Sequence, residues 1–320
     1  MPFAGALARA AGGGPALVLD GGLSNQLEAQ GCDLRDALWS ARVLAEDPAQ
    51  IEAAHAAYVR AGADVLLTAS YQATFEGFAR RGVGREAATR LLTSSVALAR
   101  RAADAAPRPV WVAASAGPYG AMLADGSEYH GRYGDGVGVA ELERFHRPRL
   151  EVLAAAEPDV LALETVPGVV EATALLRAAA GLGVPVWLTY TVEGGATRAG
   201  EPLADAFALA AADDQVVAVG VNCCAPQDVA YAVGTAARVT GKPVVAYPNS
   251  GEGWHAETRA WRGPGSFDAA SAAGWRRAGA AVLGGCCRVG PDDIAALAAE
   301  LHGVGGGAGE GEGEGTGADR

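Results

Sequence analysis

Three cysteines near the end of the sequence have the type and placement of a metal site. Cys223 closes Val-Gly-Val-Asn-Cys (219–223), and Cys286 and Cys287 are neighbours in Leu-Gly-Gly-Cys-Cys-Arg (283–288). Each follows a short apolar run of the kind that makes a buried strand, with glycine close by. Structural zinc sites fill all four positions with protein ligands, whereas catalytic sites keep one for water or substrate. Three thiolates with no fourth protein ligand in view predict one zinc per chain with an open position, at which a substrate thiol fits best. Competing readings stay open here. The thiols are small buried hydrophobes, or they hold a non-catalytic zinc, or the metal activates water for a lyase or hydrolase with Glu164 as base. A disulfide framework fits less well, because the chain is large and its cysteine count, five, is odd.

The spacing is not that of a zinc finger, so the fold must bring the three residues together. With 320 residues, a 50% hydrophobic share and 19% charged residues, the chain has the composition of a globular protein with a full core. A net charge of −12 argues against a nucleic-acid partner. Its apolar segments are interrupted before they reach membrane-helix length, and the first residues lack a charged region ahead of an apolar core. A cytoplasmic location is therefore expected, with no membrane partner. Residues 1–14 read as an N-terminal extension, 15–302 as one domain, and 303–320, almost all Gly and Glu, as a disordered tail.

Eight apolar runs alternate with helical patterns through that domain. They begin at Ala16, Ala63, Val110, Pro158, Val186, Val216, Val244 and Ala281. Near-continuous apolar strands separated by helices call for a parallel sheet covered by helices, and eight such units predict a single (β/α)8 TIM-type barrel. An open doubly wound sheet is the alternative, without a Gly-x-Gly-x-x-Gly turn after the first strand to support it. The polar residues favour the barrel. Asp20, Thr68, Ser115, Glu164, Thr189, Asn222 and Asn249 all stand at C-terminal strand ends, as do the cysteines, and in a barrel those ends form one ring around the active site. Of the remaining residues, Cys32 reads as structural and His55 as a core or surface histidine. His146 in Phe-His-Arg-Pro reads as a helix start, and Ser24 as a helix cap.

With these residues in view, the sequence resembles the homocysteine S-methyltransferase family, and most closely its branch using S-methylmethionine or S-adenosylmethionine. The resemblance is carried by Leu-Asp-Gly-Gly (19–22), Asp-Ala-Leu-Trp-Ser (36–40), Thr-Ala-Ser-Tyr-Gln-Ala-Thr (68–74), Gly-Pro-Tyr-Gly-Ala (117–121) and Leu-Ala-Asp-Gly-Ser-Glu-Tyr (123–129). Phe-His-Arg-Pro-Arg (145–149), Glu-Thr-Val-Pro (164–167), Val-Asn-Cys (221–223), Tyr-Pro-Asn-Ser-Gly-Glu (247–252) and Gly-Gly-Cys-Cys-Arg (284–288) continue it. It implies a zinc-dependent barrel with Cys223, Cys286 and Cys287 as ligands and Cys224 as a bystander. The implied reaction is methyl transfer from S-methylmethionine, or S-adenosylmethionine, to the thiol of homocysteine, giving methionine. Betaine and selenocysteine-type chemistry are the alternatives within the family.

The chemistry of the two substrates suggests the remaining site residues. Asp20 and Glu164 are candidates for the acceptor's ammonium, with Asn222, Ser70 and Tyr71 beside them. Tyr119, Glu128 and Tyr129, together with Asp125, form an aromatic and acidic loop suited to a cationic donor. Transfer through cobalamin would need a further cofactor domain, for which 320 residues leave no room, so no cobalamin is expected. Oligomeric state is not legible.

Overall fold

A computed structural model describes residues 1–34, 40–255 and 260–303. Eight parallel strands carry the fold: β1 (Leu17–Val18), β2 (Val65–Leu67), β3 (Trp111–Ala116), β4 (Val160–Val166), β5 (Val186–Tyr190), β6 (Val216–Asn222), β7 (Val244–Tyr247) and β8 (Ala280–Leu283). Each pairs with its neighbour in sequence, β1 also pairs with β8, and a parallel bridge between Leu19 and Val65 joins β1 to β2. The expected (β/α)8 barrel is therefore what forms.

Strand alternation explains the two-layered core, because successive side chains point to opposite faces. On β4, Val160 and Ala162 pack inward with Trp111, Trp187 and Val245. Leu161 and Leu163, between them in sequence, pack outward under the helices with Leu150, Leu153 and Leu175. The same phase puts Trp187 of β5 inside and Leu188 outside.

The N-terminal extension is part of this core. Residues Phe3–Ala11 form an amphipathic helix burying Phe3, Ala6, Leu7 and Ala10. Phe3 sits 6.2 Å, centroid to centroid, from both Trp111 and Trp187, so the helix packs into the barrel interior. Arg276 ties down its end, donating to Ala10 O at 2.5 Å in the last turn and to Gly14 O at 2.6 Å just beyond it. Three further local expectations meet different outcomes. Ser24 does not cap; Gly22 precedes the helix Leu23–Ala29, and no side chain caps it. His146 lies in the middle of the helix Val139–Ala155, not at its start, although Pro148 follows two residues later. Residues 36–39 of the Asp-Ala-Leu-Trp-Ser motif, and the tail from 304 onward, lie outside the described residues. No helix among the described residues is long and apolar enough to cross a membrane.

His55 is fully buried, and neither ring nitrogen has a hydrogen-bond partner. Burial lowers its pKa from 6.5 to about 4. Below pH 6.5 the unfolded chain takes up a proton that the folded chain refuses, so stability is lost as the pH falls toward 4. Urea denaturation of metal-free wild type and His55→Leu should therefore show the variant gaining about 2 kcal/mol on wild type between pH 7 and pH 5. Other titrating groups are common to both proteins and cancel. A pH-independent difference would contradict the assignment.

Candidate active site

The barrel brings the three thiols to one point. Cys223 follows β6 directly and adopts φ 50°, a left-handed conformation unusual for a residue with a side chain. Backbone bonds hold it there: its N–H donates to Tyr247 O at 3.2 Å, and its carbonyl accepts from Thr191 Oγ1 at 3.1 Å. Cys286 and Cys287 are fixed from β7. Cys286 N donates to Pro248 O at 2.7 Å and Cys287 N to Asn249 Oδ1 at 3.2 Å. Glycine is required just ahead of the pair. A Cβ on Gly284 would lie 2.6 Å from Leu19 Cβ, and one on Gly285 would lie 2.1 Å from Val289 Cγ1.

The three Sγ atoms all lie within 4.8 Å of one another, with Cys223 and Cys287 at 3.9 Å. Ligands about 2.3 Å from a tetrahedral zinc stand about 3.8 Å apart, so the cluster fits such an ion. Hydrogen bonds from Cys286 and Cys287 pull the Cys223 thiol well below its ordinary range. The same contacts with Cys223 push the other two up. Cys224 is buried in the core, and burial pushes its thiol well up. Cys32 packs beside a separate hydrophobic cluster.

Three buried carboxyl groups stand at the same end of the barrel, and two of them, Glu164 and Glu128, feel the charge of Cys223. Asp20 is buried at the end of β1; its Oδ2 accepts from Leu67 N at 2.9 Å, and its Oδ1 has no partner. Burial raises its pKa well above the usual carboxylate range, with Glu164 adding to the effect. Glu164, on β4, accepts from the Ser115 hydroxyl, and burial raises it to about 7. The charge on Cys223 reaches it as well. Glu128 lies in the short turn Ser127–Tyr129, buried, with Oε2 unpartnered and its pKa raised to about 7, chiefly by burial. That turn sits against the helix Tyr119–Leu123 because Gly120 has no side chain; a Cβ there would fall 2.2 Å from Glu128 N. Tyr129 OH stands 4.0 Å from Cys223 Sγ.

Other expected site residues are engaged in holding this frame. Asn222 Oδ1 accepts from Thr165 N at 2.7 Å and Thr189 Oγ1 at 2.8 Å, while Nδ2 donates to Thr165 Oγ1 at 2.7 Å. Ser70 donates to Ser115 O at 2.7 Å and lies 2.6 Å from Thr68 Oγ1. The Tyr71 ring covers Gly117, where a Cβ would meet it at 2.6 Å. Tyr119 faces another cluster, packed edge-on against Tyr133 and Phe145 at 5.2 and 4.9 Å.

Beneath that cluster runs a network the sequence did not reveal. Glu171 Oε1 accepts from Tyr119 N at 2.5 Å and lies 2.9 Å from His146 Nε2; its Oε2 accepts from the Tyr133 hydroxyl. Arg149 donates to His146 Nδ1 at 2.6 Å and to Gly117 O. Burial, with the Arg149 charge, lowers His146 to about 4, so a neutral imidazole links a buried guanidinium to a buried carboxylate. The network ties the helix Val139–Ala155 to the loop over the mouth. Motif reading marked 145–149 without giving its buried role, which depends on Glu171 from another helix.

A profile of the family described as "Homocysteine S-methyltransferase" matches residues 17–301. "Homocysteine S-methyltransferase 4" of Zea mays is 46% identical over 309 residues, covering 91% of this chain and 90% of that protein. "Homocysteine S-methyltransferase YbgG" of Bacillus subtilis is 42% identical, covering 89% of this chain and 94% of its own. The crystal structure of the homocysteine methyltransferase MmuM from Escherichia coli, in its metallated form, superposes with a TM-score of 0.79 at 43% identity, over 89% of this chain and 96% of that one.

Alanine at Cys223, Cys286 or Cys287 should remove bound metal and turnover together, since two thiolates leave the ion half-ligated. Cys224→Ala should keep both. Metal content per chain after dialysis against a weak chelator measures this, and full loading in any of the first three variants would refute the site.

Proposed function

The chain belongs to the homocysteine S-methyltransferase family, and from that premise we propose that it transfers a methyl group from a sulfonium donor to homocysteine, using one zinc ion held by Cys223, Cys286 and Cys287. The observation that carries this reading is the three-thiol cluster, with Cys223 close enough to Glu164 for its charge to be felt there. When bound, zinc supplies the acceptor as a thiolate, whose formation from a free thiol of pKa near 8.5 would cost about 2 kcal/mol at pH 7.

In the reaction, the homocysteine sulfur forms a bond to the methyl carbon. The bond from methyl to sulfonium breaks, and its electron pair returns to the leaving sulfur. The thiol proton goes to solvent when the thiolate forms. With S-methylmethionine as donor, both products are methionine.

The residues around the thiols supply orientation. Asp20 and Glu164 receive the acceptor's ammonium; the unpartnered Asp20 Oδ1 supports this, since a buried carboxylate oxygen is costly without a donor. An arriving ammonium favours the ionised form of both acids, which burial alone disfavours. Asn222 and Ser70 hold strand ends in register, and Tyr71 walls the mouth. Glu128 and Tyr129 meet the cationic donor, and Tyr119 acts through the loop it anchors. Holding the two sulfurs and the methyl carbon in line lowers the barrier by several kcal/mol beyond deprotonation.

Both sulfonium and quaternary ammonium donors are cations, so charge alone does not choose between them. A second amino-acid head group, which betaine lacks, does. The expected order of kcat/KM at fixed homocysteine is S-methylmethionine above S-adenosylmethionine, with betaine at least about 100-fold lower, as loss of charge-assisted contacts implies. Betaine turning over best would overturn the donor assignment.

A further inference from the structure

The geometry points to Arg198 as the residue that reads the α-carboxylate of the methyl donor, in a cavity lined by Cys223 and Tyr129. This rests on the sulfonium reading above. A cavity of about 480 Å³ opens at the barrel mouth against Cys223 and Tyr129, a volume that suits a small-molecule ligand. Tyr129, assigned above to the donor, lines it, whereas Asp20 and Glu164, assigned to the acceptor's ammonium, are not among its described lining residues; nor is Glu128, so of the two donor residues it is Tyr129 that marks this cavity as the donor's. Its occupant is therefore the other substrate.

Four charged side chains line this cavity among the described residues: Glu193, Arg198, Asp228 and Glu252. Arg198 is the single cation. It is held in place from two sides, with Nε donating to Tyr129 O at 2.9 Å and Nη1 paired with Glu193 Oε2 at 2.8 Å. The Tyr129 bond uses one of the five guanidinium N–H groups and Glu193 is held as an ion pair, which leaves N–H donors for a carboxylate, the partner that planar geometry suits best. The contact to Tyr129 also matters for distance. The same residue whose hydroxyl approaches Cys223 at 4.0 Å is gripped through its carbonyl by Arg198, so a carboxylate on Arg198 would be referenced to the thiols through one rigid tyrosine.

The remaining charges select the rest of the ligand. Glu252 is already paired with Arg288 at 2.6 Å, while Glu193 and Asp228 face one guanidinium between them. The lining thus has a surplus of negative charge. An amino-acid sulfonium carries one carboxylate, one ammonium and one sulfonium, a net single positive charge, and complements it. A simple zwitterion such as methionine, the demethylated product, lacks the extra cation and is held less tightly, which favours release.

Arg198 has a second, purely structural option as a pin for Tyr129, and the test separates the two. S-methylmethionine and its carboxamide are compared as donors at saturating homocysteine, in wild type, Arg198→Lys and Arg198→Gln. Arg198→Gln should lower kcat/KM for S-methylmethionine by about 100-fold, mainly through KM, since a charge-assisted forked bond is lost. It should change the carboxamide less than about 3-fold, because that contact is absent already in wild type, and leave homocysteine KM and metal content unchanged. Arg198→Lys should restore part of the loss. Equal losses for both donors would show a structural pin and overturn the assignment, as would a rise in homocysteine KM alone. A wild type that holds metal yet uses neither sulfonium would instead refute the donor reading, and this inference with it.

Discussion

Acidic groups are buried together at the mouth of this barrel, costly to ionise there and repelling one another once ionised, and that is the constraint from which its chemistry follows. Three thiols, Asp20, Glu164 and Glu128 converge where little water reaches, and the interaction between like charges grows as the local dielectric falls. The protein answers by keeping protons: burial raises Asp20, Glu164 and Glu128 together, and only Cys223 among the thiols is drawn toward ionisation. Such a site is incomplete by itself. A divalent ion that ligates sulfur, an ammonium and a sulfonium each relieve part of the repulsion. The methyl transfer between two amino-acid sulfurs proposed above would deliver those species together, so site charge and proposed substrate charge correspond.

That arrangement costs backbone strain and polar burial, which the fold covers with local bonds. Thr165, Cys223 and Arg288 take left-handed conformations with φ of 58°, 50° and 66°, each beside a strand end at the mouth. Conformations of this kind cost about 1–3 kcal/mol apiece and persist only where surroundings over-determine them. Asn222 performs that task for two of the three. Its amide bonds Thr165 through both backbone and hydroxyl, and it immediately precedes Cys223. The residue that sequence reading placed among substrate contacts is thereby the joint between β4 and β6. Farther out, the buried Arg149–His146–Glu171 chain holds Gly117 and Tyr119, so the loop bearing Glu128 and Tyr129 begins from a fixed base.

Much of this was legible in the sequence because parallel strands are buried on both faces and read as unbroken apolar runs. All eight were found this way, and polar residues at their ends marked the mouth without any structure. The thiol cluster was legible for the same reason: two strand ends in one barrel must face a common centre. Features built from pairs distant in sequence were not. His146 beside Pro148 has the signature of a helix start, since proline favours the first turn; its true partner, Glu171, is contributed by another helix. The opening helix is amphipathic, but nothing in Phe3 or Leu7 says that their apolar face meets Trp111 and Trp187. Arg198 follows a short hairpin with no motif around it, and only the cavity gives it a role.

The central claim is that the three thiols hold one metal ion whose remaining position accepts the thiol of homocysteine. X-ray absorption at the zinc edge of the loaded protein tests it most directly, because sulfur and lighter ligands scatter differently and stand at different distances. The account predicts three sulfurs at about 2.3 Å with one lighter ligand, becoming four sulfurs when homocysteine is added. A shell dominated by nitrogen or oxygen, or one that homocysteine leaves unchanged, would contradict it.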